Sequence, residues 1–356
     1  MKVKEIGSEF YLDKSCIQGN DKIISNNLYF GEDNKLVFLG RTAIDYVLND
    51  ILNDRKIKKA YLPSYCCSSI IQPFIDREIN IDFYDVYYDN GLKYNIDYKK
   101  ECDIFFVINY FGYQDNSLDY YIDILKQRNI VIIEDITHSL LSRRVFNKHS
   151  NYVIASLRKW FGILSGGIAC KIGNIFYEQK LVKPEEKIIN NKFEAMTEKR
   201  NYLNNGNEIR KKVYLEKFEY FNEKIINYYK NIDIDDCSIN ILKTINIELI
   251  REQRINNSRI IYSQLKNCNE INFLNEIKDG DCPLFVPLIM KKNIKEKISQ
   301  GLINKKIYCP SHWPKPNIEC KSNIYGNELS LICDQRYKLD DMYYMTETIK
   351  KIIKEV

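Results

Sequence analysis

Several absences narrow the reading before any motif does. The 356 residues contain no apolar run near the roughly 18 that a membrane helix needs, so no membrane partner is expected. The eleven cysteines are scattered without a C-x-x-C pair, which argues against a disulfide framework and a thiol redox motif. Cys309, His312 and Cys320 form a loose trio with no partner pair, and no metal is expected there. No G-x-G-x-x-G follows the first apolar strand, which removes the fingerprint of a dinucleotide-binding dehydrogenase. An excess of one charge is missing too: 53 basic against 48 acidic residues leave a formal +5, too even for a nucleic-acid partner and compatible with a small anionic substrate. Reduced thiols, and a first stretch without a signal peptide's apolar core, lead us to expect a cytoplasmic protein. Alanine and glycine are scarce while isoleucine, asparagine, lysine and tyrosine abound, a bias without functional meaning.

What is present suffices for a large interior. With 45% hydrophobic residues, the length predicts a larger domain over 1–235 and a smaller α+β domain over 236–356. Residues 1–35 read as an irregular arm. A strand over 36–39 runs into an amphipathic helix from Gly40, with Ile44, Val47, Leu48, Ile51 and Leu52 on one face. A second unit follows: strand 60–62, helix 65–76 and strand 79–84. Ile104–Ile108 is continuously apolar, as a parallel strand covered on both faces requires. A helix over 117–128 and a strand over 130–133 complete an alternation that predicts an α/β layer with a mostly parallel sheet. Residues 176–230 are charged and helical, with Tyr214, Phe218 and Phe221 as a packing stripe, and a long helix is predicted over 238–265. The C-terminal part reads as strand 284–289, helix 294–302, strand 306–308 and a helix after Leu339.

Three stretches carry chemistry. Gly40-Arg41-Thr42-Ala43 is a strand-to-helix turn, whose backbone N–H groups and helix dipole suit an anion; Thr42 also serves as an ordinary helix-start residue. Asp135 stands after a buried strand, where ligands bind in such sheets, either as a cap or as a counter-charge for a cationic ring nitrogen. His138, three residues on, is either structural or placed to cover the same ring. Ser156 to Gly167 reads Ser-Leu-Arg-Lys-Trp-Phe-Gly-Ile-Leu-Ser-Gly-Gly between two strands, so Lys159 sits in a turn held by a sheet, with Ser156 three residues before it. Gly166-Gly167 lets another group approach the backbone closely.

Taken in order, these stretches resemble the DegT/DnrJ/StrS sugar aminotransferases, fold-type I pyridoxal phosphate (PLP) enzymes. Gly40-Arg41-Thr42-Ala43 is similar to the family's phosphate-holding helix start, Leu62-Pro63-Ser64-Tyr65-Cys66 to its Pro-Ser-x-Thr turn, and Asn109-Tyr110-Phe111-Gly112 to a strand end. Glu134-Asp135-Ile136-Thr137-His138-Ser139 resembles its Glu-Asp-x-Ala-Gln/His-Ala block. Lys159 keeps the family's distance to Gly166-Gly167, and Ile307 to Pro314 resembles the segment that reaches toward the active site. The resemblance implies a mostly parallel sheet with helices on both faces plus a smaller C-terminal α+β domain, a homodimer, and segment 180–230 as an interface or cover. It implies Lys159 as the Schiff-base lysine, Asp135 at the pyridinium nitrogen and His138 beside the ring. Arg41, Thr42, Ala43 and Ser156 fall around the phosphate, Cys67 at the ring-stacking position, and His312 and Tyr65 toward substrate.

The implied activity is transfer of an amino group from glutamate to a keto group of a nucleotide-linked sugar. A lysine at 159 argues against the family's dehydratase branch, which has histidine there. Arg41 replaces a small residue in the phosphate turn, where it could contact either phosphate or substrate. Two further positions depart from the pattern: Ile154 stands where the family often has a phosphate-binding serine, and Cys67 where it has an aromatic residue. They keep open a non-catalytic regulatory or assembly protein on the same fold. A small non-sugar ketone as acceptor also stays open.

Overall fold

The computed structural model describes residues 3–12, 28–113, 116–316 and 321–355. In chain order its strands and helices are β1 (Ile6–Gly7), β2 (Asp33–Val37), α1 (Gly40–Asp54), β3 (Lys59–Pro63), α2 (Ser68–Ile75), β4 (Asn80–Tyr88), β5 (Leu92–Asn95), β6 (Ile104–Ile108), α3 (Asp119–Gln127), β7 (Val131–Asp135), β8 (Tyr152–Ser156) and β9 (Gly167–Lys171). The chain continues with α4 (Glu186–Asn205), α5 (Glu208–Asn227), α6 (Asp236–Thr244), α7 (Ile247–Leu265), β10 (Ile271–Phe273), β11 (Val286–Met290), α8 (Lys292–Asn304), β12 (Ile307–Tyr308), β13 (Glu328–Leu331) and α9 (Leu339–Lys354). Two compact units gather these elements: one from within 1–5, 9–56 and 151–247, the other from within 6–8, 57–150 and 248–356. Each unit draws on separated stretches of chain.

In the first unit β9 pairs antiparallel with β2 on one side and β8 on the other, and Gly167 lies opposite both Val37 and Ser156. Helix α1 buries Ile44, Val47, Leu48 and Ile51; Leu52, expected on that face, is 38% exposed because it falls one step past the stripe. The charged segment folds into α4 and α5. Gly206 ends α4 at φ 72°, and the Asn207 side chain accepts from the Ile209 N–H to cap α5. The predicted aromatic stripe is packing: Tyr202, Tyr214 and Phe218 touch in series, and Phe221 meets Phe38.

The second unit holds the parallel sheet. Its order is β7-β6-β3-β4, all parallel, with β5 antiparallel at the edge. Strand β6 is buried at all five positions, as its unbroken apolar run requires. The same unit contains the antiparallel sheet β10-β11-β13 and the parallel pair β1-β12. Their core joins Leu288, Leu302, Leu329, Met342 and Ile349. The helix expected over 238–265 is two helices instead. Ile245 is extended and caps α6, Thr244 turns its hydroxyl back to the Ile241 carbonyl at 2.8 Å, and α7 starts at Ile247. Local side-chain bonding and β-branching override the apolar period there.

A buried ion pair ties α1 to the sheet. Asp50 is fully buried, and its carboxylate takes the Lys171 ammonium at 2.7 Å, the Tyr152 hydroxyl at 2.6 Å and the Tyr177 N–H at 2.6 Å. Removing one partner of such a pair strands the other. Asp50→Ala is expected to destabilise the protein by about 3–5 kcal/mol in urea unfolding. A loss below about 1 kcal/mol would show that Lys171 reaches water without cost.

Candidate active site

The first unit builds a turn around the start of α1. Leu39 precedes the helix in extended conformation without a side-chain cap, and the first turn carries no acidic residue, so the positive helix end has no compensation of its own. The Thr42 side chain is completely buried, and among the described residues its hydroxyl finds no hydrogen-bond partner. A Cβ added to Gly40 would lie 2.9 Å from the Ser156 Cβ, so the helix start lies directly against the end of β8. Ala43 is also fully buried, and its N–H already makes the first intrahelical bond, to the Leu39 carbonyl at 3.0 Å; it contributes a methyl group of space.

After β8 the chain makes one 3-10 turn, Leu157–Lys159, which ends on the half-buried Lys159. Leu157 N–H donates to the Gly166 carbonyl at 3.0 Å, and Trp160 and Phe161 return to the Leu157 carbonyl at 3.0 and 3.1 Å. Buried Leu157, Trp160 and Phe161 thus frame the lysine. The expected close approach at Gly167 is made by the chain itself. A Cβ there would run into the Leu39 carbonyl and come within 2.9 Å of the Gly40 nitrogen.

The Arg41 guanidinium takes another direction than the expected phosphate or substrate. It donates to the carbonyls of Ile225, at 3.2 Å, and Ile226 at the end of α5, and lies 5.3 Å from the Tyr229 ring centre. Next to Lys159, Arg158 stands over Phe221 at 5.4 Å, and burial pulls its pKa down. Lys192 pairs with Glu9 at 3.1 Å and holds that carboxyl down to about 2.

In the second unit Asp135 ends β7, where its Oδ1 accepts the Thr137 N–H at 2.8 Å. Its neighbour Glu134 has a structural task. The Glu134 carboxylate accepts from Asn109 Nδ2 at 2.9 Å, from the Asn147 N–H at 2.8 Å and from the Ser150 hydroxyl, while burial raises its pKa. Two adjacent carboxylates therefore divide the work: one ties down the loop and one stands at the strand end. Asn109 and Glu134 appeared in the sequence only as motif members, and their pairing across 25 residues left no local signal.

His138 is buried, with its ring stacked on Trp313 at 5.6 Å and 23°, and with Phe111 at 5.0 Å and His312 at 5.7 Å. Gly112, at φ 90°, closes the Asn-Tyr-Phe-Gly turn because a Cβ there would collide with the Cys282 carbonyl and approach that of His138 to 2.9 Å. Tyr65, expected toward substrate, is fully buried and donates its hydroxyl to the His312 carbonyl at 2.5 Å, between the rings of Tyr110, Trp313 and Tyr325. It is a post that holds the His312-Trp313 segment. Cys67 is half-buried before α2. The Tyr325 hydroxyl braces that turn, accepting the Cys66 N–H at 3.0 Å and donating to the Ser64 carbonyl at 2.8 Å. No cluster of three metal-ligating side chains occurs among the described residues, and Cys320 lies outside them.

No family model matches the sequence. No curated protein matches it either. Solved structures do match by fold. PseC of Helicobacter pylori, an aminotransferase involved in the biosynthesis of pseudoaminic acid, is 12% identical, with 99% of this chain and all of that one covered at a TM-score of 0.69. Spr1654 of Streptococcus pneumoniae in its PLP form is 11% identical over 99% of both chains at 0.70. The sugar aminotransferase CalS13 of Micromonospora echinospora is 13% identical over 89% of this chain and 87% of that one at 0.59. The chain therefore has the fold-type I architecture of these proteins, an α/β fold with a mostly parallel central sheet, reached by a sequence that shares about one residue in eight or fewer with them.

Proposed function

We infer that the protein is a PLP-dependent aminotransferase that takes an amino group from glutamate and delivers it to a keto group of a nucleotide-linked sugar. The observation that carries this reading is the turn at the start of α1: a fully buried Thr42 hydroxyl with no partner among the described residues, two positions after Gly40, which itself lies against Ser156, three residues before Lys159 on the chain. A buried hydroxyl without a partner costs about 1–3 kcal/mol, and a phosphate oxygen would relieve that cost. The fold supports the same reading, since Spr1654 was solved in both PLP and PMP forms and PseC and CalS13 are aminotransferases.

These residues fit the cofactor, and the rest of the machinery follows from the resemblance. Bound PLP supplies an aldehyde that reacts with amines and a ring that accepts electrons from a carbanion. Thr42, Ser156 and the first-turn amides of α1 would hold its phosphate, and the Asp135 carboxylate would keep its ring nitrogen protonated. Lys159 would hold the aldehyde, then move a proton as general base and acid, which requires its amine to be partly unprotonated. His138 would lie beside the ring. The donor, the nucleotide link and a homodimer rest on the family resemblance alone, and a cytoplasmic setting rests on the scattered thiols and the first stretch of the sequence.

The first test is the visible spectrum of purified protein with PLP, before and after glutamate. A visible band should form, change with glutamate, and lose its response in Lys159→Ala. A band that ignores glutamate would make the donor wrong, and no band would leave a shared fold without the chemistry. Thr42→Val gives an opposite-signed pair of effects. Without cofactor it should be as stable as the wild type or more so, by up to about 2 kcal/mol, because an unsatisfied hydroxyl is removed. With cofactor it should bind PLP at least several-fold more weakly. If Thr42→Val destabilises the cofactor-free protein instead, the hydroxyl has a partner and the phosphate assignment loses its support.

A further inference from the structure

Beyond the cofactor residues, the second unit contains a buried relay that ends on a histidine. Glu328 and Ser330 sit two apart on β13, both fully or nearly fully buried, so their side chains leave the same face of the strand. One Glu328 oxygen, Oε2, accepts the His312 backbone N–H at 2.6 Å. The other, Oε1, accepts the Ser330 hydroxyl. The Ser330 oxygen lies 2.9 Å from His312 Nδ1. A serine hydroxyl has a single proton, and this one is committed to a carboxylate. Towards the imidazole Ser330 can then only accept, so Nδ1 must carry the ring proton.

The consequence falls on the other nitrogen. With Nδ1 protonated, neutral His312 presents a lone pair at Nε2 and no hydrogen. Aromatic rings surround the imidazole: Phe285 at 4.9 Å, Trp313 at 5.3 Å, Phe111 at 5.5 Å and His138 at 5.7 Å. Among the described residues no hydrogen bond to Nε2 is found. Tyr65 fixes the same residue from its carbonyl side.

We propose that Glu328 and Ser330 are positioning residues that lock His312 in the Nδ1–H tautomer, so that Nε2 accepts a hydroxyl of the keto substrate. The clause about substrate rests on the aminotransferase reading; the tautomer does not. The site therefore selects acceptors that offer an O–H donor at this point and rejects those with only a carbonyl or ether oxygen there.

The chain has three histidines, which makes the tautomer directly observable. In PLP-loaded protein labelled with nitrogen-15 at histidine, and assigned with a His312→Gln variant, long-range proton–nitrogen correlations should show His312 protonated at Nδ1. Ser330→Ala should abolish that preference and raise KM for the keto substrate about tenfold while kcat changes by less than about twofold. Ser330→Thr, which restores the hydroxyl, should recover both. A wild-type His312 protonated at Nε2, a tautomer unmoved by Ser330→Ala, or an unmoved KM would each overturn the proposal. If Ser330→Ala fails to fold, Glu328→Gln serves instead. Its amide can donate to Ser330 and free the hydroxyl proton for Nδ1, so a shift to the Nε2–H form is expected, and an unchanged spectrum would overturn the relay. Failure of the aminotransferase reading would appear separately, as a wild-type spectrum that does not answer glutamate.

Discussion

The backbone of Leu39 and Gly40 lies so close to Gly167 that no side chain fits between them. This steric constraint organises the first unit. It brings the start of α1 against the β8-β9 hairpin, and so sets Gly40 against Ser156, with Lys159 in the 3-10 turn that the hairpin carries. A glycine at 167 is thus not room for a ligand. It is the condition under which the start of α1 and the β8-β9 hairpin, far apart in the chain, can pack backbone to backbone. The buried Asp50–Lys171 pair anchors the same helix to the far end of β9, so the helix is held at both ends by contacts that tolerate little substitution.

In the second unit the recurring device is division of labour among neighbouring polar groups. Strand alternation turns Glu134 and Asp135 to opposite sides of the sheet. Glu134 spends its oxygens on Asn109, Asn147 and Ser150, and so rigidifies the loop that follows the strand. Asp135 closes the strand with one short turn to Thr137 and remains at the carboxyl edge. Near it in the chain, Phe111, His138, Trp313 and Tyr65 form an aromatic wall, in which a held polar atom becomes more directive. Within such a wall the direction of a single serine proton determines what a histidine offers to a ligand.

Much of this architecture was legible from sequence. The unbroken run Ile104–Ile108 could only be a doubly covered strand, and the period from Gly40 could only be a helix. The C-terminal strands and helices appeared within a few residues of their expected places. The short edge strands β5 and β10 escaped, since three or four residues give too little alternation to stand out. The helix pair α6-α7 was read as one because its apolar spacing continues across the break, while the turn back of Thr244 onto Ile241 is a local competition that period counting does not register.

By itself the sequence determined which chemistry-bearing residues the chain possesses and in what order: Thr42, Asp135, His138, Ser156 and Lys159 each follow or begin a regular element, and local periodicity is enough to put them there. Only the tertiary structure decided what each side chain does. It sent Arg41 to the end of α5, turned Tyr65 into a post, left the Thr42 hydroxyl without a partner, and joined Glu328, Ser330 and His312 into a relay. The physical reason is that hydrogen-bond partners and close approaches are set by atoms distant in the chain, whereas periodicity reports only the few residues on either side.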